Sequence, residues 1–239
     1  MKNTLFVFSA FIILAVISCK KSSMPVTTVP QWQLDFQDDF GGTAVDTTAW
    51  GIYYSPGNGG NGLRRPEAFS LQNGNLVVTA TMKDGVLVSG GMAHLRNYLY
   101  GKFEFRVRAE ADSSHGTDAV VLTWPQSENW PTDGENDIFE TFSASRDPFS
   151  TNIHYSPTNQ QYSYVQNADA TQWHVMGMEW SPDKLVILRD SVVVYTLLDK
   201  AAIAKVPHHL CIQLDAIKPV MTGTTHMYVD WVKIYRLKQ

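Results

Sequence analysis

The sequence contains little cysteine, no cluster of basic residues and no long apolar run. Only 2 of its 239 residues are cysteines, so a network of disulfides cannot define the fold. The 19 Lys and Arg are outnumbered by 23 Asp and Glu, which gives a formal net charge of −4. A negative net charge would not attract a polyanion, and no basic cluster offsets it, so nucleic acid is excluded as an expected partner.

The first 30 residues have the composition of a targeting segment and a tether. Lys2 gives a charged start, and the apolar run over 5–17 is too short to span a bilayer comfortably. Val-Ile-Ser-Cys at 16–19 resembles a bacterial lipoprotein cleavage site. We therefore predict a signal peptide over 1–19 and a lipid on Cys19 that anchors the protein to a membrane of the bacterial cell envelope. An ordinary cleaved signal peptide is the alternative. Residues 20–30 are polar and predict a flexible tether.

The run over 208–214 offers reactive side chains without predicting a site. Cys211 would be the one cysteine left in the mature chain, and its apolar surroundings predict a small buried thiol rather than a nucleophile. His208 and His209 look like a metal-binding pair. Adjacent strand residues point to opposite faces, however, so they cannot share an ion.

From residue 31 onward, short apolar segments alternate with turn signals such as Asn-Gly at 73–74 and Asp-Gly at 84–85. The predicted strands are Trp32–Phe40, Asn75–Thr81, Gly85–Ser89, Tyr98–Ala109, Asp118–Trp124, Asp137–Phe142, Asn152–Tyr155, Trp173–Trp180, Leu185–Arg189, Val192–Leu197, His209–Leu214 and His226–Leu237. The only helical candidate is Leu198–Ala204. Irregular stretches at 51–66, 113–116, 125–134 and 155–171 suit loops that wall a cleft. This pattern predicts one all-β domain over 31–239, a sandwich or jelly roll of two antiparallel sheets.

The segment over 98–108 alternates apolar and polar residues. One face carries Leu99, Phe103, Phe105 and Val107, and the other carries tyrosines and charged residues. The polar face is either solvated surface or the floor of a groove beside the acidic strand described next.

Three carboxylates, Glu135, Asp137 and Glu140, occur within six residues of an otherwise strand-like segment. Strict alternation would place Glu140 on the face opposite the other two. One extra residue between Asp137 and Glu140, accommodated as a β-bulge, would return Glu140 to their face. The two glutamates could then lean to the separation of about 5–5.5 Å that a double displacement requires. The alternatives are an acidic solvent-facing edge or a calcium site, although the spacing does not match an EF-hand loop.

The same residues resemble a known catalytic signature. Glu135-x-Asp137-x-x-Glu140, preceded by Trp-Pro-x-x-Gly at 130–134, is similar to that of glycoside hydrolase family 16, the laminarinase-like β-glycanases with a concanavalin-like sandwich. Further matches follow in the family's order at 100–106, 173–174, 179–180 and 228–235. Asn136 departs from the family, which usually carries an aliphatic residue there, and a buried amide needs hydrogen-bond partners.

The resemblance implies a retaining endo-β-glycosidase that hydrolyses a polysaccharide by double displacement. Glu135 is then the nucleophile, Glu140 the acid and base, and Asp137 the residue that holds the orientation of Glu135. The reaction requires no cofactor. The resemblance also offers Asp230, with a backbone carbonyl near Gly74, as a ligand of a structural calcium ion found in some members. We expect a monomer.

Trp124 and Trp130 are predicted to stack on sugar rings, whose apolar C–H faces pack on large aromatics. Core packing is the alternative for both. Trp173 and Trp231 lie in predicted strands and are assigned to the core. The resemblance places four further substrate-binding residues near the cleft, each otherwise an ordinary polar side chain: Arg96, Asn61, His154 and Gln213.

The substrate and the reaction class stay open at this stage. The family spans β-1,3-glucans, mixed-linkage glucans, agars, porphyrans and carrageenans, and loop shape decides among them. Arg64, Arg65 and Arg96 would suit a sulfated or acidic polysaccharide. A lectin-like module that binds glycans without cutting them needs the same sandwich, but only an enzyme needs Glu135 and Glu140 to face each other. A transglycosylase would differ from a hydrolase only in the acceptor.

Overall fold

The computed structural model describes residues 31–238, so the predicted signal peptide, Cys19 and the tether lie outside the described residues. Two short 3-10 helices, Asn58–Gly60 and Pro66–Ala68, interrupt a succession of strands. The strands are β1 (Trp32–Asp38), β2 (Trp50–Ile52), β3 (Ser55–Pro56), β4 (Leu63–Arg64), β5 (Phe69–Gln72), β6 (Asn75–Lys83), β7 (Val86–His94), β8 (Gly101–Ala109), β9 (Thr117–Pro125), β10 (Glu135–Glu140), β11 (Phe149–Tyr155), β12 (Gln160–Gln166), β13 (His174–Trp180), β14 (Leu185–Arg189), β15 (Val192–Leu197), β16 (His208–Ala216) and β17 (Thr224–Leu237).

The sheet that carries the acidic segment, here called the site sheet, has the order β2-β7-β16-β9-β10-β11-β12. All of its neighbouring strands are antiparallel. β16 pairs with β9 along its whole length, with Gln213 opposite Val120 and Asp215 opposite Asp118. This register fixes which side chains lie side by side on the exposed face of the sheet.

The opposite sheet, here called the back sheet, is built around β17. β8 pairs with one side of β17, while β6 and β1 share its other side. β13, β14 and β15 continue the sheet beyond β8. β7 belongs to both sheets, because its first half pairs with β6 and its second half with β16. Where β7 passes between them, a Cβ on Gly90 would lie 2.7 Å from Val78 and one on Gly91 would lie 2.5 Å from Tyr53.

The core lies between the two sheets. Phe103 and Phe105 of β8 bury one face of the back sheet, and Ile138 and Phe139 of β10 enter the same core from the site sheet. Along β8 the predicted alternation is present, with every odd-numbered residue buried and every even-numbered one half-buried. The architecture confirms the predicted all-β sandwich. Among residues 31–238, no helix is long and apolar enough to cross a membrane.

Several predictions of local structure are wrong. Leu198–Ala204 forms turns rather than a helix. Its buried residues, 202–204, are consecutive and lie against Trp180, whose indole N–H donates to the Ala204 carbonyl at 3.2 Å. Residues 160–166, predicted as loop, form the edge strand β12, and the predicted loop over 51–66 contains β2, β3 and β4.

Trp173 and Trp231 were assigned to the core, but both are half-exposed. Trp173 precedes β13, and the guanidinium of Arg106 lies 4.4 Å from its ring centroid. Trp231 follows an irregularity of β17 and packs under Lys233 instead. The polar face of β8 is likewise solvated surface and not the floor of a groove, because β8 lies in the back sheet and β10 in the site sheet.

Candidate active site

The acidic strand β10 contains the irregularity that brings its three carboxyl groups to one face. Asp137 lies opposite Asn152 of β11 and Glu140 lies opposite Ser150, so three steps on β10 match two on β11. The pairing of β10 with β9 shifts at the same place. This confirms the predicted bulge, and Glu135, Asp137 and Glu140 line one cleft.

The cleft runs across the site sheet and has a volume of ≈ 890 Å³. Its floor is apolar around Val120 and Leu122, beside the buried thiol of Cys211. One wall carries Trp124 and Trp130, whose rings are stacked at 6.3 Å between centroids with an interplanar angle of 10°. Trp130 is 42% exposed, so its free face is open to a ligand. An apolar floor with a flat aromatic wall suits the C–H faces of a sugar ring.

Each acid on β10 has its own polar partner. Trp130 donates from Nε1 to Glu135 Oε2 at 2.6 Å, and Asn152 donates from Nδ2 to Glu140 Oε2 at 2.6 Å. His154 Nε2 lies 3.3 Å from Asp137 Oδ2. These contacts fix the orientation of each carboxyl group before any ligand binds.

The three carboxyl groups cannot all be ionised at neutral pH. Burial raises the pKa of Glu135 to about 8, with the charge of Asp137 as the second cause. Burial also raises the pKa of Asp137 well above its ordinary value, followed by the charge of Glu140. The pKa of Glu140 is raised by burial as well, against the opposing hydrogen bond from Asn152. The cleft therefore retains at least one proton at neutral pH, which a group that acts as a general acid requires.

The strand start is fixed by a buried polar network. Asn136, which departs from the family pattern, donates to Thr123 Oγ1 at 2.8 Å, so its amide has a partner. His208 Nδ1 lies 3.2 Å from the same hydroxyl, and its Nε2 lies 3.1 Å from the Asp133 carbonyl. Burial lowers the pKa of His208 to about 4, so the ring is neutral here. Gly134 has a φ of 87°, a left-handed conformation that favours glycine.

Four of the six predicted substrate-binding residues, Trp124, Trp130, His154 and Gln213, line the cleft. Their contacts with a substrate stay predictions. Arg96 and Asn61 are not among the described residues that line the cleft, and their roles in binding a substrate likewise stay predictions.

Arg96 and Asn61 each make polar contacts with other residues of the chain. Arg96 forms an ion pair with Asp35 at 3.0 Å beside β1. The Asn61 amide donates to the carbonyls of Asn58 and Ile217 at 2.9 and 3.2 Å, which closes the loop after β3. Asn58 lines the cleft in its place.

Sequence reasoning missed several residues that line the cleft, including Asp118, Phe142, Asp215 and Gln161. Asp118 had a detectable signal, since it is an acid at the start of an otherwise apolar strand. Asp215 of β16 and Gln161 of β12 reach the cleft through strand pairing that no local pattern indicates. Arg64, considered earlier for an acidic substrate, does line the cleft, but it forms an ion pair with Asp215.

One cluster of side chains, and one carboxylate apart from it, have the chemistry of metal ligands. Glu135, Asp137 and His154 each place one ligand atom within 4.8 Å of the others, but Trp130 already donates to Glu135. Asp230 accepts a hydrogen bond from Arg106 at 2.5 Å. A guanidinium on that carboxylate opposes a divalent cation, so Asp230 in this arrangement does not fit the calcium ligand that the resemblance suggested.

The chain is similar to known proteins over most of its length. The model of the glycosyl hydrolases family 16 matches residues 61–233. The chain is 28% identical over 194 residues to a glucan endo-1,3-beta-glucosidase of Cryptopygus antarcticus, with 69% of each chain covered. It is 25% identical over 223 residues to a beta-glucanase of Rhodothermus marinus, covering 82% of this chain and 74% of that one. The X-ray structure of the laminarinase from Rhodothermus marinus superposes with a TM-score of 0.77 at 20% identity, over 89% of this chain and 100% of that one.

The fold, the carboxyl-lined cleft and these relatives identify a glycoside hydrolase. The matched residues make up more than half of the sequence, and the chain belongs to glycosyl hydrolases family 16.

Proposed function

We propose that the protein is a retaining, endo-acting β-1,3-glucanase. The observation that carries the proposal is the bulge of β10, which places Glu135 and Glu140 in one cleft with Asp137 between them. The relatives named above, a glucan endo-1,3-beta-glucosidase and a beta-glucanase, support a β-glucan as substrate.

In this mechanism an Oε atom of Glu135 bonds to the anomeric carbon while the bond to the bridging oxygen breaks. That oxygen takes the proton of Glu140. Water then gives a proton to Glu140 as its oxygen bonds to the anomeric carbon, and Glu135 leaves as a carboxylate. Both glutamates end in the protonation states in which they began.

The nucleophile must be ionised, so the proton that the cluster retains has to lie elsewhere. Asp137 is the best holder, because only 2% of its surface is exposed and its pKa is raised well above the ordinary value. One oxygen of its carboxyl group lies within 4.8 Å of an oxygen of Glu135. A proton on Asp137, together with the indole N–H of Trp130, then stabilises the Glu135 carboxylate.

The charges of the cleft favour a neutral glycan over a sulfated one. Of the described residues that line it, Arg64 is the only lysine or arginine, and Asp215 neutralises it. The remaining carboxyl groups would repel a sulfate. Arg65 and Arg96 are not among the described residues that line the cleft, so they do not support an acidic polysaccharide as the substrate.

A substrate screen tests the proposal. Release of reducing sugar would be measured on laminarin, mixed-linkage glucan, agar, porphyran and carrageenan, with Glu135→Gln as the blank. We expect laminarin to be cleaved internally and the sulfated galactans to be left intact. Binding of laminarin without cleavage would favour the lectin-like module, and products longer than the substrate would favour a transglycosylase.

The roles of the two glutamates are tested separately. The first product is expected to retain the β-anomer in NMR spectra, because the reaction passes through a glycosyl-enzyme. Trapping that intermediate with a 2-fluoro glycoside and mapping the labelled peptide should identify Glu135. Label on Glu140 would reverse the assignment, and an α-anomer would reject double displacement.

We also propose that the enzyme is held at the bacterial cell envelope by lipid on Cys19, as the cleavage-site pattern at 16–19 indicates. Labelled palmitate should enter the wild type but not Cys19→Ala. Equal labelling of both would reject the anchor.

A further inference from the structure

The cleft contains a fourth carboxyl group, that of Asp118, which the mechanism above does not use. Glu140 pairs with Val120 of β9, and Asp118 lies two residues away on the same face of that strand. Asp118 lines the cleft and is only 5% exposed. The register of β10 and β9 therefore places the Asp118 side chain beside that of Glu140.

Asp118 is fixed by the residue that follows Glu140 in the chain. Thr141 donates to Asp118 Oδ1 from its backbone N–H at 2.9 Å and from its hydroxyl at 3.0 Å. The hydroxyl in turn accepts from Arg146 Nη1 at 2.9 Å and from the Ala119 N–H at 3.0 Å. Arg146 has no exposed surface, and its other donors bind backbone and hydroxyl oxygens. The position of Asp118 relative to Glu140 is therefore set by a buried, fully bonded network.

Because β10 lies between β11 and β9, Glu140 has the Asn152 amide on one side and Asp118 on the other. Two carboxyl groups in contact cannot both be ionised in a site of low polarity. Burial raises the pKa of Asp118 well above its ordinary value, and the charge of Glu140 raises it further. Other charged or titratable groups around the pair are Glu135, Asp137, His154, Arg146 and the Asp215–Arg64 ion pair.

We propose that Asp118 is a positioning residue for Glu140, which it holds opposite Asn152 while sharing one proton with it, so that Glu140 enters the reaction protonated. This inference rests on the proposed role of Glu140 and adds a residue outside the Glu-x-Asp-x-x-Glu segment. The leaving oxygen takes the shared proton through Glu140, and water later restores it. Asp118 forms no bond to substrate.

Two substitutions separate position from proton sharing. Asp118→Asn keeps a donor toward Glu140 and an acceptor for Thr141, whereas Asp118→Ala removes both. We expect Asp118→Ala to lower kcat by about 10- to 100-fold while KM changes by less than about twofold. Asp118→Asn should restore most of that kcat at its own optimum pH.

The pH profile distinguishes this role from a merely structural one. In Asp118→Asn no second charge opposes ionisation of Glu140, and the amide donates to its carboxylate. Glu140 should therefore lose its proton at lower pH, and the alkaline limb of kcat should move down by roughly one pH unit. Glu104→Gln is the control, since Glu104 lies on β8 in the back sheet, outside the cleft, and its replacement should leave that limb in place.

An activity-independent measurement keeps the two proposals apart. The side-chain carbon of Glu140 would be titrated by ¹³C NMR in the wild type and in Asp118→Asn. If no glucan is cleaved, the proposed function fails, while a lower Glu140 pKa in the variant still supports the role of Asp118. An unchanged titration, an unmoved alkaline limb or full kcat in Asp118→Ala would each overturn it.

Discussion

The outward faces of the two sheets differ in how their charged side chains are paired. On the back sheet two acids have cationic partners, because Glu104 pairs with Lys102 at 2.9 Å and Asp230 pairs with Arg106. At the end of β8, Glu110 contacts His226 at 2.7 Å. On the site sheet, Asp118 and the acids of β10 are buried side by side, and the one arginine of the cleft is already paired with Asp215.

This difference distinguishes the solvated surface of the back sheet from the candidate active site of the site sheet. Ion pairs that remain in contact with solvent contribute little to stability and are screened by salt. The paired charges of the back sheet are therefore those of an ordinary protein surface. Buried like charges reduce stability unless protons neutralise them. A chain retains such a cluster where the chemistry needs proton affinities that solvent-exposed acids do not have.

The largest expected effect is on turnover. Glu135→Gln and Glu140→Gln should each lower kcat by about 10³-fold or more, because each breaks a set of groups that act together. Circular dichroism should show that both variants remain folded. Glu104→Gln on the back sheet is the control and should keep its kcat. Wild-type turnover in either cleft variant would mean that the replaced glutamate is no more important for catalysis than Glu104.

A second expected effect is on the pH dependence of stability. Burial raises the pKa of Glu135 from 4.5 to about 8, and this pKa describes the proton that the β10 acids retain as a coupled set. The contribution of that proton to stability is present below about pH 4.5 and is lost as pH rises through 8. Glu135→Gln should therefore be more stable than the wild type at pH 8, with each kcal/mol raising Tm by about 2–4 °C.

Glu110 on the back sheet should behave in the opposite sense. Burial alone would raise its pKa, but hydrogen bonds from Tyr228 and His226 outweigh burial and lower it. Its contribution is present above the ordinary pKa and is lost in acid, so Glu110→Gln should lower Tm at pH 8. Thermal melts of both variants at pH 5 and pH 8 check the signs. Changes of equal sign at pH 8 would contradict the comparison.

The smallest expected effect belongs to an ion pair of the back sheet. Lys102→Gln should change the free energy of unfolding by only about 0.2–1 kcal/mol, since Lys102 contacts Glu104 and Glu179 near solvent. Urea titrations at low and high salt would measure it, and the change should shrink as salt is added. A loss of several kcal/mol at high salt would mean that this face is more than a solvated surface.

The sequence was sufficient for the parts of the site that lie on one strand. The spacing of Glu135, Asp137 and Glu140 demanded an extra residue, and the register of β10 has it. Period-2 alternation likewise predicted the buried face of β8. Both are local properties, because side-chain direction follows from the backbone period.

What the sequence could not provide depends on which strands become neighbours. Asp118 and Asp215 are far apart in the chain, yet they lie opposite each other because β9 pairs with β16. Trp173 and Trp231 were misplaced because strand membership does not reveal whether a side chain faces the core or solvent. β3 and β4 span two residues each, too few for any periodicity.

The strand shared by the two sheets determines how the cleft can accommodate a polymer. β7 joins the sheets along one margin, and Gly90 and Gly91 leave no free space there. At the other margin β12 pairs only with β11, within the described part of the chain. Opening to admit a long glycan should therefore displace the margin that carries His154 and Gln161. The rim at β7 is then rigid and the rim at β12 can move. Hydrogen exchange should accordingly be faster in β12 than in β7.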